Sequence, residues 1–226
     1  MKKKPLLIFD HDGTLHDSMI IFGPAMRRAI DWLRKQGYED IPEISDARIA
    51  SFLGLNSFEI WESFSKDIPE ELVHKSADVM NEEVKKELAK GTARWFPGIP
   101  ETLDRLKSEG YSMVMLTNCE KKLAGFYREH FQTDRWLDKI YDAESYNFLP
   151  KSEIIKIILQ ERGKEAIMVG DRYPDLECAK AGKVPFIGCA YGFCVEGELD
   201  ESDAIARQPS DLYDCIVKIS KERYQV

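Results

Sequence analysis

Three short runs of uninterrupted apolar residues stop abruptly on polar groups: LLIFD at 6–10, YSMVMLTN at 111–118 and AIMVGD at 166–171. A strand with one wet face alternates apolar and polar residues, whereas a strand without alternation has both faces covered. Helical stretches separate these runs, and strands alternating with helices are joined by crossovers that place helices on both sides of a parallel sheet. The expected fold class is therefore α/β, a doubly wound, Rossmann-like parallel sheet. KIYDA at 139–143 and PFIGCA at 185–190 read as further strands of it.

Between Ser18 and Gly91 the character changes to helices without strand-like runs. MIIFGPAMRRAIDWLRKQG (19–37) has apolar residues at helical spacing and ends on Gly37, with Gly23-Pro24 expected to delay or kink its start. SDARIASFLG (45–54) opens on Ser45 as a cap, and 56–64 and 69–91 complete about four helices. The expected organisation is a core domain from 1–17 and 92–226, interrupted by a helical cap domain at 18–91. In the core, ETLDRLKSEG (101–110), a segment near 121–131, LPKSEIIKIILQERG (149–163), PDLECAKAG (174–182) and a last stretch from about Ser210 read as helices, with Gly182 closing the one it ends.

Composition bounds the partners. The formal net charge is −8, so neither nucleic acid nor an anionic membrane is the expected partner, since both reward a basic face. An anionic substrate must then meet a local positive site. No apolar stretch approaches the roughly 20 residues of a membrane span. The apolar run behind MKKKP lasts four residues before Asp10, too short for a secretory signal, and a cytoplasmic protein is expected. The five cysteines (119, 178, 189, 194, 215) show no zinc-type pair spacing and read as free thiols, Cys119 as a small packed residue.

Parallel strands put their carboxyl ends on one edge, where ligands of open α/β sheets bind. That edge gathers Asp10 and Asp12, Thr117 and Asn118, and Asp171 and Asp175. Converging carboxylates repel unless a cation sits among them, and oxygen donors suit Mg²⁺. Asp10, ending its strand, is placed to attack phosphorus and form an aspartyl phosphate that water later hydrolyses. Asp12, two residues on, can give a proton to the leaving oxygen and later take one from water. Gly13 permits a close backbone approach, and Thr14 can orient the loop. Thr117 and Asn118 offer phosphate ligands, and Lys151, opening a helix, supplies positive charge to the nucleophile and the transferring group.

With those residues in place, the chain resembles the haloacid dehalogenase superfamily, in particular its phosphoglycolate phosphatase-like branch with a helical cap. FDHDGTLHDS resembles the first motif, LTN at 116–118 the second, Lys151 in LPKSEII the third and GDRYPD at 170–175 the fourth. The resemblance implies Asp10 as nucleophile, Asp12 as general acid/base, Thr117 as phosphate ligand and Lys151 as charge stabiliser. It implies Mg²⁺ held by the Asp10 carboxylate, the Asp12 backbone carbonyl and Asp171, with Asp175 close behind. The sequence departs from the family in two places. His11 stands where an apolar residue or tyrosine is usual, so its imidazole could touch a leaving group, and Pro150 precedes the motif lysine instead of following it.

The expected function is Mg²⁺-dependent hydrolysis of a small phosphorylated metabolite: phosphoglycolate-like, a sugar phosphate or a nucleotide monophosphate. The same motifs fit a phosphosugar mutase, or, from a different class, a phosphate-binding regulatory module that has lost catalysis. A dehalogenase is disfavoured because that branch lacks the Asp12 acid/base and the metal. A phosphonate-cleaving enzyme is disfavoured because no lysine lies between 51 and 65 to form an imine. SFLGLNSF (51–58) resembles a substrate-covering loop, with Asn56 and Ser57 available for polar contacts. His11 and His16 read as solvated or structural loop histidines. Monomer and dimer both remain open.

Overall fold

A computed structural model describes residues 3–55, 57–63 and 68–226, with the side chains of Ser57, Phe58 and Glu62 outside that description. Asn56 and the Ser57 side chain, suggested above for substrate contacts, thus lie outside the described residues.

The chain folds as two compact units, one made of residues 1–17 and 95–226 and the other of 18–94. The inserted unit is helical: α1 (Met19–Lys35), α2 (Asp46–Ala50), α3 (Ser57–Glu62) and α4 (Glu70–Ala89). α1 packs chiefly on α4, burying Ile21, Met26, Ile30 and Leu33 on one side and Val73, Ala77, Met80 and Val84 on the other. Pro24 neither delays nor splits α1, which begins at Met19 and runs through it. Pro24 stands in the second turn, where its missing N–H removes a single helical bond. Ser45 caps α2, its side chain accepting the Arg48 N–H at 3.2 Å.

The larger unit is a six-stranded, wholly parallel sheet in the order β3-β2-β1-β4-β5-β6. Its strands are β1 (Leu6–Phe9), β2 (Met113–Thr117), β3 (Lys139–Asp142), β4 (Ala166–Gly170), β5 (Phe186–Cys189) and β6 (Ala204–Ala206). Helices α5 (Ile99–Ser108), α6 (Lys121–Phe131), α7 (Lys151–Arg162), α8 (Tyr173–Gly182) and α9 (Leu212–Ile219) connect or follow them.

Side-chain alternation within β1 shows why the strands read as unbroken apolar runs. Leu7 and Phe9 join Leu103 and Leu106 of α5 and Leu212 and Ile216 of α9 in one core layer. Leu6 and Ile8 join Ile154, Ile155 and Ile158 of α7 and Leu176 of α8 in the other. Both faces are dry, so polar residues are admitted only at the strand ends. β6 was not legible in the sequence: AIA is too short for a periodic signal, and its burial is uneven. Gly182 does not close α8 from outside; it is the last helical residue, and Lys183 takes the left-handed conformation at φ +54°. Close packing explains the glycine, since a Cβ at 182 would lie 2.7 Å from Ile155 Cδ1 of α7.

Among the described residues no helix is long and apolar enough to cross a membrane.

Ile8 sits at the centre of the sheet with no exposure and is paired on both sides, to Val114 and Met168. Ile8→Ala is expected to cost about 2–5 kcal/mol, read as a lower midpoint in chemical denaturation of the wild type and variant. A loss below about 1 kcal/mol would show that this layer is not tightly packed.

Candidate active site

The strand order reverses between β1 and β4, because the chain runs outward through β2 and β3 and returns to the other side of β1. Such a switch point opens a crevice at the carboxyl ends of the two strands. Asp10 follows β1 and Asp171 follows β4 at that crevice, and the ladder continues one residue past β1, where the Asp10 N–H donates to the Val169 carbonyl at 2.9 Å.

Lys151 is the first residue of α7, and its ammonium donates to Asp10 Oδ1 and, at 2.7 Å, to Asp175 Oδ1. Asp175 completes its set by accepting the Arg172 N–H on Oδ2 at 3.2 Å, which is also the capping contact at the start of α8. Asp171 accepts the Phe193 N–H on Oδ2 at 2.6 Å and the Thr14 hydroxyl on Oδ1 at 3.4 Å. All four charged side chains are at most 3% exposed. Oxygens of Asp10, Asp171 and Asp175 lie within 4.8 Å of one another.

Three buried carboxylates face one ammonium, and the electrostatics follow. Burial is the largest influence on Asp10; Lys151 opposes it, Asp175 and Asp12 reinforce it, and the carboxyl is raised from 3.8 to about 7. Asp171 is held well above its ordinary value by burial, then by Asp10 and Asp175. Burial pulls Lys151 down, but the adjacent Asp10 and Asp175 carboxylates outweigh it and keep the ammonium charged. An all-oxygen, buried and under-neutralised set is what a hard divalent cation requires. The donor chemistry of Asp10, Asp171 and Asp175 therefore fits the metal that the resemblance implies.

The remaining sequence-derived residues fall into two places. Thr117 is the last residue of β2, buried, with its hydroxyl accepting the Cys119 N–H at 3.2 Å; Asn118 follows it, half-buried. The Asp12 carboxylate is not part of the acidic trio. It turns the other way, with Oδ1 3.4 Å from His16 Nδ1 and Oδ2 accepting the Cys119 thiol at 3.4 Å. The Cys119 thiol is pushed well up by burial and then by Asp12, so it stays protonated and inert.

His11 is not a solvated loop residue and does not stand open to a leaving group. It is wholly buried, with its ring 4.4 Å from Tyr127, 5.1 Å from His16, 5.9 Å from Phe131 and 6.0 Å from Trp95, centroid to centroid. Burial first of all lowers its pKa to about 3, so the imidazole is neutral.

Residues that sequence reasoning passed over hold this arrangement in place. The loop after β5 supplies the Phe193 N–H to Asp171, and its Tyr191 hydroxyl donates to the Thr14 carbonyl at 2.8 Å. Gly192 lies where a Cβ would meet the Gly13 carbonyl oxygen at 2.2 Å, and Gly13, at φ +80°, has no room beside Asp171 Oδ2 for any side chain. Arg172 anchors the same region through its guanidinium, 2.9 Å from Glu198. The only sequence signal for this support was a tyrosine and a glycine directly after an apolar strand.

Comparison with known proteins places this geometry in a family. Residues 7–189 match the haloacid dehalogenase-like hydrolases, which takes in every residue of the site except those of the loop after β5. A 5'-nucleotidase of Pseudomonas aeruginosa is 30% identical over 204 residues, 86% of each chain. A phosphoglycolate phosphatase of Agrobacterium fabrum is 28% identical over 195 residues, 84% of this chain and 82% of its own. The crystal structure of a predicted phosphatase from Clostridium acetobutylicum superposes with a TM-score of 0.81 at 23% identity, covering 96% of this chain and 100% of that one, a likeness of fold. The chain belongs to the haloacid dehalogenase-like hydrolases.

Proposed function

We propose that this protein is a Mg²⁺-dependent phosphatase that hydrolyses a small phosphorylated metabolite through a phosphoryl group carried on Asp10. The observation that carries this reading is the buried contact of the Lys151 ammonium with the Asp10 carboxylate beside Asp171 and Asp175. The relatives named as 5'-nucleotidase and phosphoglycolate phosphatase support phosphomonoester hydrolysis over dehalogenation. The segment 18–91 is assigned as the cap domain that selects the substrate.

In the first step an Asp10 oxygen attacks phosphorus, the bond to the leaving oxygen breaks, and Asp12 gives that oxygen its proton. Lys151 holds Asp10 in position and faces the charge on the transferring group, while Thr117 and Asn118 offer donors to the non-bridging oxygens. In the second step Asp12 takes a proton from water, which attacks phosphorus and returns Asp10 as a free carboxylate with release of inorganic phosphate. Asp10, Asp171 and the Asp12 carbonyl are the residues that would hold Mg²⁺, with Asp175 behind them, and the ion would offset negative charge on the phosphoryl oxygens.

Asp10→Asn removes the nucleophile without changing shape. It is expected to lower turnover of an aryl phosphate at least about 1,000-fold with an unchanged circular dichroism spectrum; wild-type turnover would refute the proposal. Thr117→Ala, which removes one donor, is expected to cost about 10- to 1,000-fold in kcat.

The raised Asp10 carboxyl has a pH signature. Between 3.8 and about 7 the folded protein binds a proton that the unfolded chain has already released, so this group's contribution to stability is present at low pH and is lost as pH rises through that window. The metal-free protein is expected to lose thermal stability over this range relative to Asp10→Asn, and added Mg²⁺, which favours the ionised form, is expected to flatten the difference. Equal pH profiles for the two metal-free proteins would contradict it.

A panel of nucleoside monophosphates, phosphoglycolate and sugar phosphates, assayed with Mg²⁺ for released phosphate, identifies the substrate class. Isomerised sugar phosphate in place of free phosphate would identify a mutase.

A further inference from the structure

The turn at 11–16 builds a second cluster that the acidic trio does not use. The His11 carbonyl accepts the N–H groups of Leu15 and His16, each at 3.0 Å, so the chain doubles back and brings His16 beneath His11. Their rings stack at 5.1 Å with 28° between planes. His11, Asp12 and His16 each present a donor atom, and these three atoms lie within 4.8 Å of one another. His11 is wholly buried, and among the described residues neither of its ring nitrogens has a hydrogen-bond partner. Native interiors seldom leave such atoms unpaired.

We propose that His11, Asp12 and His16 form a site for a late first-row divalent transition metal, zinc foremost, distinct from the Asp10, Asp171 and Asp175 cluster. Two imidazoles and a carboxylate suit such ions, whereas Mg²⁺ takes oxygen donors almost alone. Metal–ligand bonds of about 2.0–2.1 Å in a tetrahedral site place neighbouring donors about 3.3–3.4 Å apart. His16 Nδ1 and Asp12 Oδ1 already stand at 3.4 Å. The His11 donor lies within 4.8 Å of both.

The route in is from the Asp12 side. Asp12 and Cys119 are half-buried while both imidazoles are covered, so an ion meets the carboxylate first. The Cys119 thiol, 3.4 Å from Asp12 Oδ2, lines that entry. The three ligands leave a fourth position open for water.

Resting on the phosphatase reading, occupancy takes the Asp12 carboxylate out of proton transfer. The ion therefore inhibits hydrolysis, and excess Mg²⁺ does not displace it.

The test is calorimetric titration of Zn²⁺ into the tag-free full chain in excess Mg²⁺. The expected result is one Zn²⁺ per chain, retained in Asp171→Asn and weakened at least 10-fold in His11→Phe, a variant that keeps the aromatic packing. If His11→Phe does not fold by circular dichroism, His16→Gln reads the same loss. Co²⁺, titrated in the same way, is expected to show visible absorption of a low-coordinate site that His11→Phe or His16→Gln abolishes. No Zn²⁺ binding in excess Mg²⁺, or binding lost in Asp171→Asn yet unchanged in folded His11→Phe, would overturn the proposal. Binding is read without turnover, so a failure of the phosphatase reading leaves this result intact, and a failure here leaves that reading intact.

Discussion

The site depends on one buried ammonium. Lys151 bridges Asp10 and Asp175 where none of the three is more than 3% exposed, and without that charge two carboxylates would face each other in a low-dielectric crevice. Its position follows from the fold. α7 begins at Lys151, so the side chain leaves the helix at its amino end, the end whose N–H groups already favour anions. Asp175 does not face the substrate edge freely: one of its oxygens holds Lys151 and the other caps α8. It thus holds the same ammonium that meets Asp10.

The doubly wound sheet supplies the crevice that makes this arrangement possible. β1 and β4 are neighbours with their carboxyl ends at the reversal of strand order, and Asp10 and Asp171 are the first residues beyond them. Burial first, and then the neighbouring acids, raise Asp10 and Asp171, and a divalent cation among them would offset that charge. The loop after β5 then closes over Asp171 with a backbone N–H, and the space it needs is won by glycines at 13 and 192. The close approach of that loop to Asp171 thus requires the small residues around it.

The sheet was legible because a strand covered on both faces cannot carry polar residues except at its ends, and LLIFD, YSMVMLTN and AIMVGD obey that rule. β6 was not, since three residues hold no period, and Gly182 was misread because a glycine at a helix end serves close packing as readily as a left-handed cap. Asp10, Thr117, Lys151 and Asp171 could be placed at one edge from the sequence because each sits at the end of a strand or the start of a helix, where position implies direction. The partners of Asp12 could not. His16 and Cys119 reach it through a turn and from the loop after β2, and the burial of His11 among Tyr127, Trp95 and Phe131 depends on α6 and on a segment 84 residues away in the chain, at Trp95.

The central claim is that phosphorus bonds to Asp10 during turnover. Enzyme quenched in acid during steady-state hydrolysis and reduced with borohydride converts an acyl phosphate to an alcohol, so peptide mass spectrometry locates the site. The account predicts homoserine at position 10 and at no other carboxylate, dependent on substrate. Unmodified Asp10 in enzyme that is turning over, or reduction at a different aspartate, would contradict it.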